Sequence, residues 1–182
     1  MFCPLASYTM YRMKNLGIGI QDFETLIADN CIYVDKTEYI HKLIQPPGRY
    51  FFLARPRRFG KSLLVSTLRA IFLGKIELFR DCFIAKTDYT WPVHPVIMLD
   101  FSTLNKNSPQ TFSQDFILKL RRIAIEAGIE LEDVSFPESA LREIVTKLSK
   151  RAKVVVLIDE YDSPILEHIE NLPYKMMIVI HQ

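Results

Sequence analysis

Three short, largely apolar runs along the chain have the composition of buried strands. They are Tyr50–Ala54, Pro95–Phe101 and Lys153–Asp159. A strand that is apolar throughout is covered on both faces, which is typical of parallel sheets in α/β proteins. Because helical patterns separate the three runs, we predict a parallel sheet with helices on both sides.

Shorter elements are predicted before the first run. Apolar residues at positions 23–27 have helical spacing, and Ile32–Val34 has the composition of a short strand. Thr37–Ile44 reads as a second short helix. The Pro-Pro-Gly sequence at 46–48 is expected to stop it, because proline and glycine interrupt regular structure.

Three longer helices follow. The first comes directly after Tyr50–Ala54 and is expected to end at Gly74, since glycine favours the left-handed position after a helix. The second is capped by Ser108 and Pro109, and the third leads into the last strand. The side chains expected to face the core are Leu64, Leu68, Ile71 and Phe72, then Phe112, Phe116, Leu120, Ile123 and Ala127, then Leu141, Ile144, Val145 and Leu148.

Composition excludes several classes of protein. The chain has 182 residues, of which 49% are hydrophobic, and a net charge of +2, so it is neither a disordered tail nor a strongly basic coat protein. Its longest aliphatic run, Val154–Ile158, is far shorter than the ~18 residues of a membrane span. No signal peptide is recognisable. Three scattered cysteines fit reduced thiols, so a cytoplasmic location without membrane association is expected.

The average charge conceals one acid-free segment. Residues 39–76 contain eight lysines and arginines and no aspartate or glutamate. Such a segment suggests a local anionic partner, such as a nucleic acid, or a docking protein. A solvated basic face explains it equally well, so both interpretations stay open here.

Gly60, Lys61 and Ser62 lie between a predicted strand and a predicted helix, which is the context that a phosphate-binding loop requires. Backbone N–H groups at the start of the helix would face the phosphates. Lys61 would reach the β- and γ-phosphates, and the Ser62 hydroxyl would bind Mg²⁺. The match departs from the general motif at Arg55, where glycine is usual.

The roles of the arginines in this loop have two interpretations. Arg57 and Arg58 either touch phosphate oxygens or form structural ion pairs, and at most one is expected to touch a nucleotide. The candidate nucleotide-binding residues are therefore Arg57, Arg58, Phe59, Gly60, Lys61, Ser62 and Leu63.

Two carboxylates end the last predicted strand. Asp159 is expected to bind the coordination shell of Mg²⁺, usually through a water molecule, and Glu160 is expected to polarise an attacking water as general base. Ligands bind at the carboxyl ends of strands in open α/β sheets, so both would lie beside the phosphate loop. Asp162 is read as a helix cap or a further metal or substrate contact, and Asp100 as a turn residue rather than a partner of the metal shell.

Together these motifs resemble the bacterial AAA-ATPase-like domain family over about residues 16–170. The resemblance implies ATP and Mg²⁺ as cofactors, a catalytic role for Lys61 and Glu160, and a P-loop domain over residues 17–170 after an irregular segment 1–16. Many longer relatives continue into a nuclease-like region. The segments that carry the resemblance are LGIGIQDF (16–23), YVDKT (33–37), FLARPRRFGKS (52–62) and LIDEYDSP (157–164).

The tail departs from this pattern. Related ATPases place another strand between the phosphate-loop strand and the acidic strand, and Met176–Ile180 has the composition to supply it. No sensor residue or arginine finger is recognisable, so we expect residues 171–182 to be a truncated or divergent tail. Four hypotheses follow: a Mg²⁺-dependent ATPase, a nucleotide-binding module without turnover, a nucleic-acid binder, and a remnant of a longer ATPase.

Overall fold

A computed structural model describes residues 14–45, 50–54, 56, 58–105 and 107–161. Within these ranges five α-helices and two strands form, together with two short 3-10 helices over Ile76–Phe79 and Phe83–Lys86. The elements are α1 (Phe23–Ala28), α2 (Thr37–Ile44), α3 (Lys61–Phe72), β1 (Val96–Asp100), α4 (Pro109–Glu126), α5 (Pro137–Ser149) and β2 (Val155–Asp159).

The two strands are parallel neighbours, with Val96 opposite Val155 and Asp100 opposite Asp159. One face of this sheet packs against α4 and α5 in the larger hydrophobic core. On the other face, buried residues such as Leu157 lie where α3 contacts β2. Helices therefore flank a parallel sheet, which confirms the predicted α/β class.

The helices around this core form where their side-chain pattern predicts. α4 begins with a capping box in which the Ser108 hydroxyl accepts the Thr111 N–H at 3.1 Å and the Thr111 side chain caps in return. Leu120 on α4 and Ile144 on α5 are fully buried. The capping box satisfies N–H groups that the helix itself leaves unpaired, which explains the sharp start.

The prediction of a buried strand at Tyr50–Ala54 is wrong for the described structure. The segment has no regular secondary structure, and its side chains are exposed, Phe52 to 62%. A strand is stable only when a neighbour pairs with its backbone, and among the described residues this segment pairs with neither β1 nor β2. The strand predicted to lie beside this segment, Met176–Ile180, falls outside the described residues.

The short strand predicted at Ile32–Val34 does not form either. Only a single parallel bridge joins Asn15 to Cys31, just before it. The Pro-Pro-Gly stop at 46–48, most of the irregular segment 1–16 and the tail 171–182 lie outside the described ranges.

A second hydrophobic cluster joins α1, α2, the 3-10 helices and the inner face of α3. Phe23 is fully buried there and stacks on Phe79, with ring centroids 4.6 Å apart. The Phe23 N–H donates to the Ser66 hydroxyl of α3 at 2.9 Å. Cys82 belongs to the cluster as a free thiol, and burial raises its pKa to about 11. The N-terminal segment therefore holds α3 from the side opposite the sheet.

The YVDKT segment has a structural role in this cluster. The Asp35 carboxylate accepts N–H groups from Thr37 at 2.8 Å and Phe83 at 2.6 Å. The Thr37 hydroxyl donates to the same carboxylate and accepts the Ile84 N–H at 3.0 Å. Burial alone would raise the pKa of Asp35, but the hydrogen bonds from Thr37 and Phe83 and the charge of Lys86 together outweigh it and lower that pKa. Asp35 thus ties the start of α2 to the second 3-10 helix.

Both α3 and α4 end in a Schellman motif. After α3, Gly74 has φ +71°, its N–H donates to the Ile71 carbonyl at 2.9 Å, and the Lys75 N–H donates to Ala70 at 3.1 Å. Gly128 takes the same position after α4 with φ +66°. Glycine adopts this left-handed conformation without strain, so the predicted end of α3 at Gly74 is confirmed.

These two glycines give a matched stability prediction. Gly128→Ala should lower the free energy of unfolding by about 1–2 kcal/mol, because alanine resists a positive φ. Gly74→Ala should cost about 1 kcal/mol more, since its Cβ would lie 2.8 Å from the Val93 Cγ2, whereas a Cβ at Gly128 meets no described atom within 4 Å. Urea unfolding of each variant measures this.

The steric part is tested by adding Val93→Ala to Gly74→Ala. The double variant should lose only as much stability as Gly128→Ala, after correction for Val93→Ala alone. An unchanged gap between the two glycine sites would show that Val93 does not restrict Gly74.

Candidate functional site

The start of α3 has the geometry of an anion-binding turn. Gly60 precedes the helix in the left-handed conformation, with φ +71° and ψ +30°, and Lys61 is the first right-handed helical residue. A left-handed residue followed by a right-handed one turns successive N–H groups toward a common point. Within the described part of the chain no side chain caps this end, and the first turn has no acidic residue. The helix start is therefore open to an anion.

The loop before α3 is held in an unfavourable backbone conformation. Arg58 has φ +66°, and a non-glycine residue in this region costs about 1–3 kcal/mol. The side chains of Arg58 and Phe59 are exposed, Phe59 to 63%. Arg55 and Arg57 lie outside the described residues, so the contact predicted for Arg57 stays a prediction.

The first helical residues differ in what they can offer a ligand. Lys61 and Ser62 are half-buried, and none of the ion pairs between described residues includes Lys61. The side chain of Leu63 packs against the second hydrophobic cluster. Its carbonyl accepts the hydroxyls of Ser66 and Thr67, at 3.0 and 2.7 Å. Leu63 can therefore contribute its backbone N–H to a phosphate, while its side chain belongs to the core.

Asp159 ends β2 on the face of the sheet that α3 covers. The preceding residue, Ile158, packs into the core of α4 and α5, so the alternation of a strand directs Asp159 to the other side. Asp159 is only 8% exposed, and its Oδ1 accepts the Glu160 N–H at 3.0 Å. Its second oxygen has no partner among the described hydrogen bonds and ion pairs. A buried carboxylate of this kind suits a bound cation.

The side chains predicted to bind the metal have donor atoms that fit Mg²⁺. Within the described ranges no three His, Cys, Asp or Glu side chains form a metal cage. Mg²⁺ does not need one, because it is usually held by one or two carboxylates together with substrate phosphates and waters. Asp159 and the Ser62 hydroxyl are hard oxygen donors of the required kind.

Glu160 stands in a strained turn directly after β2. Its φ is +51°, which is unusual for a residue with a side chain. Tyr161 follows it, and its ring meets Phe52 edge-on with centroids 5.2 Å apart. The contact brings the segment before the phosphate loop close to the segment after the two carboxylates. No described hydrogen bond or ion pair joins Lys61 to either carboxylate.

Asp100 takes the turn position that the sequence predicts. Its Oδ1 accepts the Ser102 N–H at 2.8 Å. Sequence reasoning missed Lys119 on α4, whose ammonium donates to the Asp100 carbonyl and to the Thr103 hydroxyl at 3.2 Å. Burial lowers the pKa of Lys119, and the charge of Asp100 opposes this shift. No local pattern could have revealed Lys119, because its partners lie 16 to 19 residues away. Asp162 lies outside the described residues.

Part of the basic segment 39–76 is neutralised within the protein. Glu24 on α1 binds two of its cations, with 2.9 Å from Oε1 to a guanidinium nitrogen, and Glu38 on α2 binds a third at 2.6 Å. The other cations in the described part of this segment are Arg58, in the loop before α3, and Lys61, the first residue of α3. The paired cations are Lys42, Arg69 and Lys75.

No helix in the described ranges has the length and apolar character needed to cross a membrane.

Comparisons with known proteins identify one relative and a protein family. The chain is 34% identical over 173 residues to a protein of Azotobacter chroococcum mcd 1 named "Uncharacterized protein in vnfD 5′region". The match covers 86% of this chain and 30% of the relative, so the chain spans less than a third of that protein's length. No solved structure matches. A family model described as "Predicted AAA-ATPase" matches residues 17–180. The chain therefore belongs to the predicted AAA-ATPase family.

Proposed function

We propose that the chain binds ATP with Mg²⁺ at the carboxyl end of its sheet and hydrolyses it, within a P-loop domain over residues 17–170. The observation that carries this proposal is the open start of α3 at Gly60 and Lys61, on the same face of the sheet as the buried Asp159. Family membership supports an ATPase-like function in general terms.

Backbone groups do most of the binding in this proposal. The N–H groups of Gly60, Lys61 and Ser62 hold phosphate oxygens, and the Lys61 ammonium neutralises part of their charge. The Ser62 hydroxyl and the Asp159 carboxylate would hold Mg²⁺, which would supply positive charge against the negative charge that develops in phosphoryl transfer.

Glu160 supplies the base. Its carboxylate accepts a hydrogen bond from the attacking water and takes its proton as the water oxygen bonds to the γ-phosphorus. The bond between that phosphorus and the β,γ-bridging oxygen breaks in the same step, and ADP leaves. Lys61 stabilises the charge that spreads over the transferred phosphoryl oxygens. The strained turn at Glu160 is consistent with this role, because backbone strain is often found where a side chain must be aimed at a substrate.

The first test is a melting curve with and without Mg·ATP. At 100 times Kd, a ligand specific to the folded state should stabilise the protein by about 2.7 kcal/mol. Lys61→Ala should abolish this shift. Lys42→Ala is the matched control, since it removes a cation of the same acid-free segment whose partner is Glu38, on α2. A shift of normal size in Lys61→Ala would contradict the proposed site.

The second test separates hydrolysis from binding. Glu160→Gln and Glu160→Gly should both keep the Mg·ATP shift and lose phosphate release by at least about 100-fold, the usual contribution of a general base. Glu160→Gly should also melt higher than Glu160→Gln, because glycine adopts a positive φ without strain. Phosphate release from the parent equal to that of buffer, beside a clear thermal shift, would instead identify a nucleotide-binding module without turnover.

A further inference from the structure

Asp100 and Asp159 are direct neighbours across the two strands. Each is the last residue of its strand, and the register pairs them. Adjacent strands lie about 4.8 Å apart, and side chains of paired residues point to the same face of a sheet. The two carboxylates therefore project side by side at the carboxyl edge.

Their shared face is the one that α3 covers. The residues just before them, Leu99 and Ile158, both belong to the core of α4 and α5 on the opposite face. Asp100 and Asp159 therefore lie on the side of the sheet from which the phosphate loop starts.

The described contacts leave both carboxylates incompletely satisfied. Asp100 uses Oδ1 to accept the Ser102 N–H, and Asp159 uses Oδ1 to accept the Glu160 N–H. Lys119 donates to the Asp100 carbonyl, and none of the described hydrogen bonds or ion pairs joins its ammonium to the Asp100 carboxylate. Each side chain thus has one oxygen for which no described residue is a partner.

We propose that Asp100 is a positioning residue of the metal site, whose free oxygen accepts a hydrogen bond from a water bound to the Mg²⁺ held by Asp159. The inference rests on the proposed function, since that function supplies the ion. Its basis is the strand register and the unused oxygen. The turn fixes the Asp100 side chain, so little conformational freedom is lost when the water binds.

Asp100→Asn tests this role while keeping the turn. The amide oxygen can still accept the Ser102 N–H, but the negative charge and one acceptor oxygen are lost. Asp115→Asn is the matched control, because the Asp115 carboxylate also accepts a backbone N–H of the same loop, from Asn105 at 3.0 Å, but it lies on α4 and not at the sheet edge.

The measurement is the Mg²⁺ concentration that gives half of the ATP-dependent thermal shift, at a fixed ATP concentration. Asp100→Asn should raise this midpoint about tenfold or more, the usual effect of losing a residue that orients a metal's ligands. The melting temperature without ligand should stay near that of the parent. Asp115→Asn should keep the parent midpoint. Asp100→Ser, whose hydroxyl can also accept the Ser102 N–H, should show the same rise as Asp100→Asn.

The outcomes distinguish this inference from the proposed function. A parent protein with no shift at any Mg²⁺ concentration contradicts the nucleotide site itself. A normal shift in the parent, with the parent midpoint in either folded Asp100 variant, overturns the role of Asp100 alone. A rise of the same size in Asp115→Asn overturns it as well, because the effect would then follow the loss of any nearby charge.

Discussion

The placement of α3 is the constraint on which the rest of the structure depends. One side of this helix lies against the sheet, and the other is held by the N-terminal cluster through the Ser66–Phe23 hydrogen bond. Because both sides are buried, the helix cannot rotate or slide without losing core contacts. The last residue of α3, Phe72, accepts the His94 N–H at 2.8 Å just before β1, so the first turn, at Lys61, is directed toward the carboxyl edge of the sheet although the preceding loop is exposed.

Helix ends with local signals and the two strands that pair with each other could be predicted from the sequence, but which apolar runs pair could not. Ser108 marks the start of α4 and Gly74 the end of α3 through hydrogen bonds to residues close by in the chain, and both predictions are confirmed. The Tyr50–Ala54 prediction is wrong because apolar composition alone does not make a strand. A strand also needs a paired neighbour, and the neighbour proposed for it is more than 120 residues away along the chain.

The candidate site also has features that could be predicted from the sequence and features that could not. The chemistry of Lys61, Ser62, Asp159 and Glu160 was readable from residue type, spacing and the strand–helix context, although their roles stay predictions. Backbone strain at Glu160 was not readable, since a φ value depends on how the flanking elements pack. Nor was the pairing of Asp100 with Asp159, because a register is set by contacts across the sheet and not along the chain.

The two halves of the site meet different physical demands. A phosphate can be held by backbone N–H groups, so the loop around Gly60 needs a defined conformation more than a particular set of side chains. A metal ion needs carboxylates at fixed positions, which strands in register provide. Each half contains one strained residue: Arg58 lies in the turn that leads into α3, and Glu160 in the turn that follows β2. Each strained residue lowers the free energy of unfolding of the protein without ligand. A ligand that contacts both halves can offset this loss of stability, provided that the two turns keep their strained conformation in the bound state.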